Sequence, residues 1–214
     1  MTHKVFSTQE QSLIEQLMLN RRDVRGNNFL TTPISDTVIE QLLYSATLAP
    51  SVGFSQPWEF VVIRDVTTKR RIRDNFLTEN AAAKEQFSES QQTLYQQLKL
   101  DGIMEAPVNI AVFYTPAKQP VLGQTSMLEA GEYSTVCAIQ NMWLMARAMN
   151  IGLGWVSILD PEHVKSVLNA PATHKLIGYL CIGHVKEFYS QPELETLKWQ
   201  KRKHLDDLII REHY

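Results

Sequence analysis

Cysteine is scarce in this chain, with only Cys137 and Cys181 among 214 residues. We therefore expect no disulfide framework and a reducing compartment. The formal net charge is −2, whereas a nucleic-acid-binding protein usually carries a clear basic excess. No apolar run approaches the roughly 18 residues of a membrane span, and no signal-peptide pattern precedes the first helix. The expectation is a cytoplasmic protein that binds neither nucleic acid nor membrane.

Common catalytic motifs are missing as well. The six histidines show no H-E-x-x-H or C-x-x-C type of spacing, so we expect no metal site. There is no P-loop, and Gly152-Leu153-Gly154 lies between a helix and a strand, the reverse of the dinucleotide-binding order. No G-x-S-x-G elbow occurs, and neither cysteine has an obvious histidine partner.

The pattern of apolar residues indicates one domain over residues 1–214 that alternates helices with short strands. Hydrophobic residues make up 44% of the chain, enough for a sizeable core. Strands are predicted over 59–64, 108–114, 154–159 and 176–185. Helices are predicted from the Ser7 cap to about 20, from 35 to about 50, over 67–100, over 129–150 with Gly152 as terminator, and over 160–168. This order favours an α+β fold with helices flanking a mixed or mostly antiparallel sheet.

Two segments have little apolar pattern of their own. The weak stripe within 67–100 suggests a lid, placed at about 80–104, and its basic start is most simply a solvated helix face. The tail, about 186–214, is expected to lie against another surface such as a partner subunit. The helix at 129–150 is apolar nearly all round, which fits a core or a subunit interface.

The strongest local charge is Arg21-Arg22-Asp23-Val24-Arg25, at the end of the first helix. Guanidinium groups suit phosphate oxygens because of their planar, bidentate geometry. The carboxylate of Asp23 among them has two interpretations. It neutralises its neighbours, or it stays ionised beside an anionic ligand and takes part in chemistry.

Two further polar segments complete a candidate site, namely the loop that carries Ser51 and Gln56 and the Gly-Trp-x-Ser segment, 154–157, of the predicted strand 154–159. Together with the arginines they suit a ligand with a phosphate at one end and a flat polar ring at the other. The pattern resembles the nitroreductase superfamily of FMN-binding proteins, and within it the 5,6-dimethylbenzimidazole synthase family. The resemblance runs from about Gln9 to Arg202. Its segments are 21–27, 49–54, 98–103, 105–107, 133–138 and 154–157.

The resemblance implies a homodimer with FMN sites at the subunit interface and a domain-swapped tail. It implies that reduced FMN (FMNH2), supplied by a separate flavin reductase, is consumed with O2 to form the lower ligand of vitamin B12. The flavin contacts that it implies, in part from the other subunit, are Arg21, Arg22, Asp23, Val24, Arg25, Ser51, Gln56, Leu98 as part of the lid, Ser157 and Arg202. The family ends on Gly-Trp-Arg-x-Arg, whereas this chain has Lys198-Trp199-Gln200-Lys201-Arg202, so Trp199 sets the register for Arg202.

The family assigns the fragmentation chemistry to the positions of Asp23 and Ser157. Ordinary nitroreductases usually carry serine at the position of Asp23. A carboxylate there can act as general acid and base; Ser157 can relay a proton or simply be a strand hydroxyl bonded to backbone. The alternatives are an NAD(P)H-dependent nitroreductase or cob(II)yrinic acid a,c-diamide reductase that keeps its FMN, and a non-catalytic flavin-binding protein.

Overall fold

A computed structural model describes residues 3–214 of the chain. Its strands are β1 (Trp58–Ile63), β2 (Val108–Tyr114), β3 (Gly152–Val156) and β4 (Lys175–Gly183). Its α-helices are α1 (Thr8–Asn20), α2 (Asp36–Thr47), α3 (Val66–Lys84), α4 (Glu89–Tyr95), α5 (Ala130–Ala148), α6 (Pro161–Leu168) and α7 (Glu193–Thr196). Within these residues no helix is both long and apolar enough to cross a membrane.

The four strands form one antiparallel sheet in the order β1-β2-β4-β3. The two central strands are apolar almost throughout because helices cover both faces of the sheet. On one face Ile110 packs with α2 and α5, and on the other Phe113 packs with α3 and α6. The result is an α+β sandwich with two buried layers, which confirms the predicted fold class.

Two predicted helix boundaries were wrong. Gly152 does not terminate α5: the chain leaves the helix at Met149, Asn150 adopts a left-handed φ of +56°, and Gly152 already begins β3. Asn tolerates this conformation because its short polar side chain can bond locally. The predicted helix 67–100 is also not continuous. It breaks at Glu85, and α4 starts anew with a Ser88–Gln91 capping box.

The first residues of the tail form hydrogen bonds with the body of the same chain. Asn28 donates from Nδ2 to the carbonyl of Glu187 at 2.7 Å, and Lys186 donates its amide to the carbonyl of Asn28 at 3.0 Å. Residues 201–214 are exposed throughout. Domain swapping of this tail stays a prediction, as does the division of the chain into core, lid and tail.

Candidate functional site

The arginine segment lies along the outer edge of β3. Residue 23 forms a parallel β-bridge with Leu153, and the Val24 amide donates to the Leu153 carbonyl at 3.1 Å. A Cβ at Gly154 would overlap the carbonyl oxygen of Val24. Glycine at this position therefore allows the Val24 backbone to approach β3 closely, and this contact determines where Asp23 lies along the strand.

Two groups hold the Asp23 carboxylate. Oδ1 accepts the backbone amide of Trp155 at 3.0 Å, and Oδ2 forms an ion pair with the Arg25 guanidinium. Burial raises the pKa of Asp23 above its ordinary value, and Arg25 and the Trp155 amide oppose that rise. The carboxylate thus has fixed geometry and a proton affinity higher than that of a solvated aspartate, as expected of an acid–base group.

The three arginines of the segment have different surroundings. The Arg22 guanidinium donates to the carbonyls of Leu19, Arg21, Tyr189 and Ser190, so it fastens the tail to the end of α1. Arg21 stacks 4.7 Å from the centre of the Trp143 ring. Arg25 reaches the carbonyl of Leu100 at 3.3 Å in addition to Asp23. Arg22 therefore has a structural role that the sequence pattern did not indicate.

These groups line a cleft of about 150 Å³ between the end of α1 and the tail. The guanidiniums of Arg21, Arg22, Arg25 and Arg202 share it with the carboxylates of Asp23 and Glu193. We call it the arginine cleft. Four cations against two carboxylates suit a phosphate group, whose charge at neutral pH is −1.5 to −2. Arg202 lines this cleft together with the three arginines of the segment. Its predicted role had depended on the register that Trp199 sets.

Glu193 is the residue of this cleft that sequence reasoning missed. Burial raises its pKa, the positive charge of Arg25 opposes the rise, and the negative charge of Asp23 adds to it. Glu193 therefore adds a second carboxyl group, with a raised pKa, to the cleft that Asp23 lines. Its sequence context is a polar tail with a Pro192-Glu193 helix start, which carries no catalytic signal.

The remaining predicted residues near β3 are Val24 and Ser157. Val24 is buried, and its contact with β3 is the hydrogen bond from its amide to the Leu153 carbonyl. Ser157 follows the last residue of β3 and is exposed. It lies two residues, about 7 Å of extended chain, beyond the amide that binds Asp23.

Ser51 and Gln56 lie at the opposite corner of the sheet. Gln56 lies two residues before Trp58, which pairs with Tyr114 at one end of β2. Asp23 pairs with Leu153, which is aligned through β4 with Val108 at the other end of β2. Four strand spacings separate the two corners, about 19 Å, and six residues along the strand add about 20 Å in the perpendicular direction. One small ligand in the arginine cleft cannot contact both corners of the same chain.

Leu98 lies in a second cavity, of about 360 Å³, between the lid and α3. Arg73, Asp101 and Glu105 also line it, and burial, together with the charge of Glu105, raises the pKa of Asp101. The base of the lid joins the arginine segment directly, since the Gly26 amide donates to the Asp101 carbonyl at 2.7 Å. The structure therefore brings Leu98 close to the arginine segment but not into the arginine cleft.

Comparison with known proteins identifies the family to which this chain and its fold belong. The nitroreductase family model matches residues 18–184, and the chain belongs to that family.

Within the family, the chain is similar to 5,6-dimethylbenzimidazole synthase of Rhodospirillum rubrum, with 44% identity over 204 residues, covering 94% of this chain and 96% of that protein. A BluB-like flavoprotein from Clostridium difficile 630 has a similar structure, with a TM-score of 0.69, 19% identity and coverage of 92% and 97%. So does oxidised iodotyrosine deiodinase bound to FMN and 3-iodo-L-tyrosine, with a TM-score of 0.73, 20% identity and coverage of 94% and 99%. The resemblance to the synthase family, predicted from the sequence motifs, is confirmed.

Proposed function

We propose that this protein is an oxidoreductase with the activity of a 5,6-dimethylbenzimidazole synthase, which consumes reduced FMN and O2 and forms 5,6-dimethylbenzimidazole. Near full-length identity of 44% to a protein of that name supports the proposal. The observation that carries it is the Asp23 carboxylate, fixed by the Trp155 amide and Arg25 inside a cleft of arginines. A flavin-recycling enzyme needs no carboxylate at that position.

The arginine cleft is the proposed phosphate site of FMN. Arg21 and Arg202 would hold the phosphate, and Arg25, paired with Asp23, would face the polar pyrimidine edge of the ring, while Arg22 orders the tail that closes the cleft. The chemistry of these donors fits a phosphomonoester because several guanidiniums can share its oxygens. When bound in its reduced form, the flavin supplies the electrons for reaction with O2 and the carbon skeleton of the product.

Asp23 is the proposed general acid and base. Burial raises its pKa and so its affinity for a proton, and its two partners keep it oriented while a proton is accepted and returned. Ser157, at the end of β3 beyond the Trp155 amide, is the proposed hydroxyl relay. The lid would exclude water from the site.

A homodimer is part of the proposal. Because Ser51 and Gln56 lie far from Asp23 in one chain, their expected contacts to the same flavin need the corner of a second copy. In a two-fold dimer each site would combine the Asp23 corner of one protomer with the Gln56 corner of its partner. A flavin reductase in the cytoplasm would supply FMNH2.

The decisive experiment is incubation of the purified protein with enzymatically reduced FMN in air, with mass detection of the products. We expect loss of FMN and appearance of 5,6-dimethylbenzimidazole, and none in a sample kept without oxygen. Steady NAD(P)H oxidation with intact flavin would instead identify a nitroreductase or corrinoid reductase. Tight FMN binding without either turnover would identify a flavin-binding protein.

A further inference from the structure

The C-terminal tail contacts both the lid and the arginine cleft. We call its residues 187–202 the strap. At its start Arg22 holds the carbonyls of Tyr189 and Ser190, and in its middle Glu193 enters the cleft. Arg202, at its end, returns to the same cleft.

Between these two cleft residues the strap contacts the lid through the side chain of Trp199. The Trp199 ring packs edge-on against Phe87 at 5.1 Å and against Tyr95 at 6.1 Å between ring centres. The Tyr95 hydroxyl donates to Asn80 at 2.7 Å, which ties the same cluster to the end of α3. Trp199 therefore joins the strap to α4 within the lid and, through the Tyr95–Asn80 hydrogen bond, to the end of α3.

We propose that the strap couples phosphate binding in the arginine cleft to ordering of the lid, with Trp199 as the positioning residue that connects the two. A phosphate that binds Arg202 restrains the chain three residues after Trp199 and so holds the Trp199 ring against Phe87 and Tyr95. By linkage, the ordered lid raises affinity for the phosphate by the same factor. The inference rests on the proposed function and adds that the phosphate acts on the lid as well as anchoring the ligand.

The coupling makes a specific prediction about ligands with and without a phosphate. FMN engages both the arginine cleft and the ring site, whereas riboflavin has the same ring and lacks the phosphate. FMN should therefore protect the lid, about residues 80–104, from hydrogen exchange more strongly than riboflavin does at saturation. A purely structural role for Trp199 would leave that difference unchanged.

The test is hydrogen exchange of the full chain with oxidised FMN or riboflavin at saturation. In Trp199→Ala we expect the extra protection by FMN to disappear and FMN to bind about five- to tenfold more weakly. Trp199→Phe should retain most of both. Arg202→Ala, an exposed position that the fold tolerates, should lose the extra protection, whereas the neighbouring Lys203→Ala should keep it.

The outcomes separate this inference from the proposed function. Lid protection by FMN that persists in Arg202→Ala and in Trp199→Ala would overturn the coupling while FMN binding stands. Absence of FMN binding to the unmodified protein would overturn both.

Discussion

The two corners of the sheet that carry predicted site residues are built very differently. At the β3 corner Asp23 has two fixed partners, and four arginines converge on one cleft. At the β1 corner the loop that carries Gln56 is exposed, and its backbone is strained, with left-handed φ at Phe54 (+53°) and Gln56 (+48°). Such conformations cost about 1–3 kcal/mol each in non-glycine residues and cluster at binding sites.

At the β3 corner the partners of Asp23 all come from the same chain. At the β1 corner Phe54 is 82% exposed, and in the proposed homodimer a second copy would cover it. The proposed site therefore needs both corners, one from each of two copies. Four experiments test this division.

The largest effect should come from Asp23→Asn, which removes the acid–base group and keeps its size. We expect 5,6-dimethylbenzimidazole formation to fall by about 10²–10⁴, with FMN binding retained because the arginines remain. Asp36→Asn is the matched control, since Asp36 pairs with Arg64 on the surface and should leave the rate unchanged. Full activity of Asp23→Asn would remove this carboxylate from the mechanism.

Complementation tests whether the two corners belong to different chains. Asp23→Asn and Gln56→Glu, each expected to be defective alone, are co-expressed. In mixed dimers one of the two sites carries neither substitution, so about a quarter of the wild-type activity should return. Co-expression of Asp23→Asn with the double variant should restore none. No recovery in the first mixture would place both corners at the same chain's site, whereas full activity of Gln56→Glu alone would place Gln56 outside the site.

Gly154→Ala tests whether the close contact between Val24 and β3 positions Asp23. The new methyl group would overlap the Val24 carbonyl and force the segment away from Trp155. We expect a loss of about 1–3 kcal/mol in the free energy of unfolding, together with slower product formation. Denaturant unfolding and the product assay measure the two effects, and an unchanged variant would mean that the segment relaxes without cost.

The smallest expected effects are those of Arg202→Ala and Arg22→Ala, which should differ in the stability of the fold. Arg202→Ala should weaken FMN binding about tenfold at unchanged stability, because its side chain is exposed at the cleft. Arg22→Ala should weaken FMN binding too, but also lower the free energy of unfolding by about 1–3 kcal/mol, because it leaves carbonyls of the tail without a donor. Calorimetric titration and thermal unfolding distinguish them; equal stability of both variants would contradict the structural role of Arg22.

Local patterns predicted much of the fold and part of the candidate site. Strand β2 was predicted with its observed bounds, since apolar runs of that length are typical of buried strands. The arginine segment was recognisable because its charges are adjacent in sequence. The place of Glu193, the Trp199 contacts and the tail carbonyls bound by Arg22 were not predictable, because each depends on residues about 100 or more positions away along the chain.

By itself, the sequence determined the alternation of helices and strands, the cluster of guanidiniums around Asp23 and the family resemblance, because all of these are encoded in neighbouring residues. Only the tertiary structure decided which arginine binds the tail, which carboxylate shares the cleft with Asp23, and that Ser51 and Gln56 lie at the opposite corner of the sheet. The physical reason is that a charged side chain acquires its role from the atoms that surround it, and folding brings those atoms together from distant parts of the chain.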